Sequence, residues 1–121
     1  MLQSSPSKPQ VGVQSISEKV SAEEIQSIAR DLQMLRNQIQ TVSSQTSEYS
    51  ITIEALRNQD PNRPVFKSLG NLLLEVDDRE SLESELVDAK KSLDDHLGRL
   101  IEREENLREQ YETKASQFEN G

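Results

Sequence analysis

Ile25, Ile28, Leu32, Leu35, Ile39, Val42, Thr46, Tyr49, Ile53 and Leu56 follow one another at alternating steps of three and four residues, and Thr46 alone breaks their apolar character. An unbroken 3.5-residue repeat is the signature of a left-handed coiled-coil seam. It commits the segment to a long helix whose narrow apolar stripe must lie against another helix. Ser21-Ala22-Glu23-Glu24 reads as a capping box at its start, with Ser21 accepting from the amide of Glu24 and the Glu24 carboxylate reaching back. A helix over 21–58 would be about 57 Å long at ~1.5 Å per residue. Asp60-Pro61-Asn62-Arg63-Pro64 then stops it, because proline lacks a donor and biases its predecessor away from the helical region.

The stretch after this stop has a different period. Val65–Leu69 and Leu72–Val76 are strand-like runs joined by Gly70-Asn71, a pair suited to a two-residue hairpin turn. With that loop the cross-strand pairs are Leu69/Leu72, Ser68/Leu73, Lys67/Leu74, Phe66/Glu75 and Val65/Val76. One face then carries Val65, Lys67, Leu69, Leu72, Leu74 and Val76, and the other carries Phe66, Ser68, Leu73 and Glu75. A lone two-stranded hairpin is marginal in water. The chain has little left with which to cover this one.

Asp77-Asp78-Arg79-Glu80 opens a second helix, expected over 78–118, with an acidic first turn that suits the helix dipole. Leu82, Leu86, Ala89, Leu93, Leu97, Leu100, Leu107, Tyr111 and Phe118 mark its stripe. The step from Leu93 to Leu97 is a stutter, Gly98 lies beside it, and the seam positions 104 and 114 are Glu and Lys. The distal seam is therefore expected to be loosely specified. Asp95–Arg99 and Glu104–Arg108 are candidate i,i+4 ion pairs. Residues 1–20 lack periodicity and are expected to form a flexible N-terminal tail, with 21–121 as a single domain built of helix 21–58, hairpin 64–77 and helix 78–118.

Composition narrows the partners. Hydrophobic residues are 32% of the chain, against roughly 45–50% apolar in ordinary globular domains, so the apolar residues form a seam rather than a ball. The net charge is −8, and residues 59–121, with 9 basic and 16 acidic side chains, carry −7 of it. No basic stripe offers itself to nucleic acid or to an acidic membrane surface. There is no Cys, hence no disulfide framework or thiolate metal site. No apolar run reaches the roughly 18–20 residues of a membrane span, and MLQSSPSKPQVGV lacks a secretory apolar region. A cytoplasmic location is the expectation. His96, the only histidine, has no convergent ligand set, and the serines lack a credible base. No phosphate loop or metal spacing is present. No metal, cofactor or enzymatic activity is expected.

A helix, a V-F-K-S-L-G-N-L-L-L-E-V hairpin and a second helix of equal length resemble the beta class of prefoldin subunits. The resemblance runs over about residues 21–118. It is carried by Phe66, Lys67, Ser68, Leu69, Gly70, Asn71 and Leu72–Leu74. Glu48–Leu56 with Asp60-Pro61 and Arg63 is similar to the eukaryotic subunit-two branch. The resemblance implies a mainly α fold: a long antiparallel coiled-coil hairpin whose central β-hairpin joins an intersubunit β-barrel. It implies an ATP-independent holdase chaperone in a hexamer of alpha-class and beta-class subunits. Such a complex holds unfolded proteins, actin and tubulin among them in eukaryotes, and passes them to a group II chaperonin.

On this reading Val65, Phe66, Leu69, Gly70, Leu72, Leu73, Leu74 and Val76 are the assembly residues. Val20, Ile25, Ile28, Leu107, Tyr111 and Phe118, near the chain ends with Val13, Ile16 and Ala115, are the candidate client-binding residues. For Ile25, Ile28 and Leu107 the competing account is ordinary coiled-coil packing. For the chain as a whole the competing class is a structural or adaptor coiled coil without client binding. That class would need only a helix–helix loop of roughly 2–8 residues, not a β-patterned insertion.

Overall fold

The computed structural model describes residues 20–120. Most of the expected N-terminal tail, with Val13 and Ile16, lies outside the described residues. The element order is α1 (Ala22–Asn58), β1 (Phe66–Leu69), β2 (Leu72–Glu75) and α2 (Arg79–Asn120). The architecture is mainly α: two long helices with one small antiparallel sheet between them in the chain. The described residues fall into two compact units, one made of those up to Asn37 with those from Ile101 on, the other of Gln38–Leu100.

In the first unit Ile28, Leu32 and Leu35 are buried, and Ile25, Leu107 and Tyr111 are half-buried. The helices run antiparallel. Lys114 Nζ lies 2.7 Å from Glu24 Oε2, and Arg36 Nε donates to Glu104 Oε2 at 2.9 Å. Both polar seam positions of α2 therefore meet an opposite charge on α1. Apolar contact is thinner over this part of the seam, and ion pairs stand at its two polar positions. The Glu24 amide donates to Ser21 Oγ at 3.0 Å, as a cap requires. The return half of the capping box gives way to the ion pair of the Glu24 carboxylate with Lys114.

In the second unit Val42, Ile53 and Leu100 are buried, while Ile39, Thr46, Tyr49, Leu56, Leu82, Leu86, Ala89, Leu93 and Leu97 are half-buried. All ten positions of the α1 repeat are thus at least partly withdrawn from water. Leu93 and Leu97, either side of the stutter, both contribute to the seam. Arg57 Nε donates to Glu83 Oε2 at 2.8 Å. Thr46 Oγ1 is enclosed without a hydrogen-bond partner. Thr52, six residues further on, instead donates its hydroxyl to the Glu48 carbonyl at 2.8 Å, the usual outlet for a helical threonine.

Of the local ion pairs, Arg108 Nε lies 3.6 Å from Glu104 Oε1. Asp95 and Arg99 do not pair among the described residues, whereas Lys90 donates to Asp94 at 2.9 Å. The Ser81 amide donates to Asp78 Oδ1 at 3.0 Å, so Asp78 caps α2. Among the described residues, no helix is long and apolar enough to cross a membrane.

Candidate functional site

The sheet is a single antiparallel pair with register Phe66↔Glu75, Lys67↔Leu74, Ser68↔Leu73 and Leu69↔Leu72. This is the register that the two-residue loop dictates. The Val76 amide donates to the Val65 carbonyl at 2.8 Å and extends the pairing by one residue pair. Gly70 has φ +60°, the left-handed region that a residue with a Cβ enters only at a cost.

All eight strand residues are exposed. Leu69, Leu72 and Leu74 stand on one face and Phe66 and Leu73 on the other, with Phe66 54% and Leu73 71% accessible. Val65 and Val76, at the base, are half-buried. Large apolar side chains therefore face water on both sides of the sheet, and a two-stranded sheet leaves the outer edge of each strand unpaired. Burying the exposed parts of these five side chains would be worth on the order of 5 kcal/mol, from roughly 1.5–3 kcal/mol per fully buried large apolar residue. Exposed apolar area on this scale marks a candidate interaction surface. Lys67 stands alone as the charge on the more apolar face.

The hairpin springs from a polar turn. Asn62 donates its amide to Asp60 Oδ1 at 2.9 Å, and Arg63 donates its amide to the Asp60 carbonyl at 3.0 Å. Arg79 Nη2 donates to the carbonyls of Asp60 at 3.0 Å and Arg63 at 2.6 Å. The sequence reading missed Arg79. Its signal was a cation in the first turn of α2, where the helix dipole disfavours one. Beside it, Pro64, Val65 and Phe66 face Leu56, Leu82 and Leu86 across an open apolar groove of about 320 Å³.

The candidate client-binding residues belong to the first unit. Ile28 is buried and Val20, Ile25, Leu107 and Tyr111 are half-buried, while Phe118 is 49% exposed. Ile28 is thus spent on helix packing, and Phe118 is the member of the group most open to water. Among the described residues no group of three or more His, Cys, Asp or Glu side chains is placed to hold a metal ion. His96 is exposed.

Comparison with known proteins agrees with this geometry. Residues 20–119 match the sequence profile of a family described as "Prefoldin subunit". The prefoldin subunit beta of Archaeoglobus fulgidus is 27% identical over 104 residues, an alignment covering 80% of this chain and 89% of that one. The crystal structure of the prefoldin beta subunit from Thermococcus strain KS-1 superposes with a TM-score of 0.75 at 18% identity, over 93% of this chain and 96% of that one. At that identity the second likeness speaks to the fold.

Proposed function

The chain belongs to the prefoldin subunit family, and from that premise we propose that it is a beta-class subunit of an ATP-independent holdase chaperone. The observation that carries the reading is the β-hairpin, with apolar side chains exposed on both faces and both strand edges open. Its role is assembly: Val65, Phe66, Leu69, Leu72, Leu73, Leu74 and Val76 are buried when hairpins of several alpha-class and beta-class subunits close into a barrel, which abolishes sheet edges. Gly70 permits the turn that sets their register.

Unfolded proteins are held by the helix-terminal apolar residues, with Phe118 as the readiest contact and Val20, Ile25, Leu107 and Tyr111 behind it. Each contact is weak, and several subunits acting together supply avidity. The held chains pass to a group II chaperonin in the cytoplasm. The subunit carries out no chemistry of its own and needs no cofactor.

The test mixes the full chain with the alpha-class prefoldin subunit of the same organism. It measures the native mass of the product, then suppression of client aggregation without ATP. A hexamer that suppresses aggregation is expected. Phe66→Glu, which places a charge in the barrel wall, should leave the helical circular dichroism signal intact and abolish the hexamer. A monomer or simple dimer that protects nothing would instead favour a structural or adaptor coiled coil.

A further inference from the structure

Packing does not fix the hairpin against the helix ends of its own unit. Every residue of β1 and β2 is exposed, and the space between Pro64–Phe66 and Leu82 and Leu86 is an open groove. What ties the linker to α2 is polar. One guanidinium nitrogen of Arg79 reaches two carbonyls, those of Asp60 and Arg63, at 3.0 and 2.6 Å. The linker is already closed by the Arg63 and Asn62 amides on Asp60. Arg79 therefore grips a pre-formed turn rather than a loose chain. Pro64, with its restricted φ, follows at once and carries that constraint toward β1.

The placement of this residue is informative in itself. Arg79 opens α2, where a cation opposes the helix dipole. Asp77, Asp78 and Glu80 flank it in sequence, yet among the described residues its guanidinium forms no ion pair and goes to backbone carbonyls. Asp60 follows the C-terminus of α1, the end at which a cation is favoured. A residue that breaks a local rule of helix stability points to a compensating task elsewhere.

We propose that Arg79 is a positioning residue for assembly: by clamping the Asp60 and Arg63 carbonyls to α2 it sets the direction in which the hairpin leaves the helices. This inference rests on the assembly reading given above. A hairpin that keeps its pairing but loses its direction pays an ordering cost each time it joins its neighbours.

The experiment compares the full-length chain with Arg79→Met, of similar length without donors, and Arg79→Lys, whose ammonium can still donate to carbonyls. Residual dipolar couplings on the unassembled chain report the orientation of the amides of residues 66–75 relative to those of α2. Arg79→Met should retain cross-strand contacts and lose the fixed orientation. Affinity for the alpha-class subunit should fall about tenfold, the order of the cost of ordering a segment that is no longer held in place. Arg79→Lys should fall between the two. The melting temperature of the helices should change little, because the guanidinium is disfavoured at the N-terminus of α2 but favoured beside the C-terminus of α1.

Unchanged couplings or unchanged affinity in Arg79→Met would overturn the proposal. So would a matching fall in melting temperature, which marks a merely structural role. If the parent chain does not assemble at all, the assembly reading fails, while the couplings still decide the clamp.

Discussion

Gly70 has φ +60°, and a Cβ added there would meet no atom within 4 Å. The demand for glycine is therefore conformational rather than spatial. Gly70→Ala should cost about 1–2 kcal/mol of hairpin pairing, read as faster exchange of the Val76 amide. Gly70→Asn should cost less, since asparagine tolerates the left-handed region. Thr46 poses the opposite case. Its hydroxyl is enclosed and unbonded, and burial of such a group costs ~1–3 kcal/mol. Thr46→Val keeps the branched shape and deletes the orphan, so the melting temperature should rise. An unchanged or lower value would mean that the hydroxyl has an outlet in solution. The sequence identified Thr46 as the polar member of its repeat, but whether the oxygen back-bonds as Thr52 does depends on local packing, which no spacing encodes.

Element-scale behaviour is best seen in α2. Its stripe thins beyond Leu100, and Glu104 and Lys114 take seam positions. The Glu104 side chain is only 15% exposed and lies between Arg36 and Arg108. Glu104→Ala should lower stability by about 1 kcal/mol, with the loss shrinking at high salt because both arginine partners remain open to solvent, Arg36 the more so. A double-mutant cycle with Arg36→Ala would isolate the interhelical share. A zero coupling energy would reduce the pair to coincidence.

Much of this level was legible beforehand. Periodicity alone located the α1 seam, and the two-residue loop alone dictated the register from Phe66↔Glu75 to Leu69↔Leu72. What remained hidden were contacts with no sequence period. Arg79 binds carbonyls, which every residue possesses, so its partners leave no compositional trace. The ion pairs of Glu104 and Lys114 depend on which α1 residues come opposite, and that is known only once the helices are paired. Ile51, 69% exposed although apolar, likewise has no rationale in the seam.

For the molecule as a whole, the proposed division of labour can be separated by substitution. Phe118 is exposed and distant in sequence from the hairpin. Phe118→Asp should leave hexamer mass and melting temperature unchanged and reduce suppression of client aggregation several-fold, since avidity multiplies small losses per subunit. Removal of residues 112–121 should reduce suppression more strongly while sparing the hexamer, and should lower the melting temperature because it also takes away the Lys114–Glu24 ion pair. Undiminished suppression in both would move the client site elsewhere. The candidate residues of this site were legible as apolar positions near the helix ends. Which of them packing consumes, as it does Ile28, was not, because that depends on how closely the opposing helix approaches.

A two-stranded sheet has two edges and no middle. A copy synthesised without its neighbours therefore displays Phe66, Leu69 and Leu72–Leu74 to water, the same kind of surface that an unfolded protein displays. On the proposed reading, an unpaired subunit is chemically indistinguishable from cargo. Overproduction of this one chain would then occupy the machinery it was made to build, and cellular supply of the subunits has to be kept in proportion.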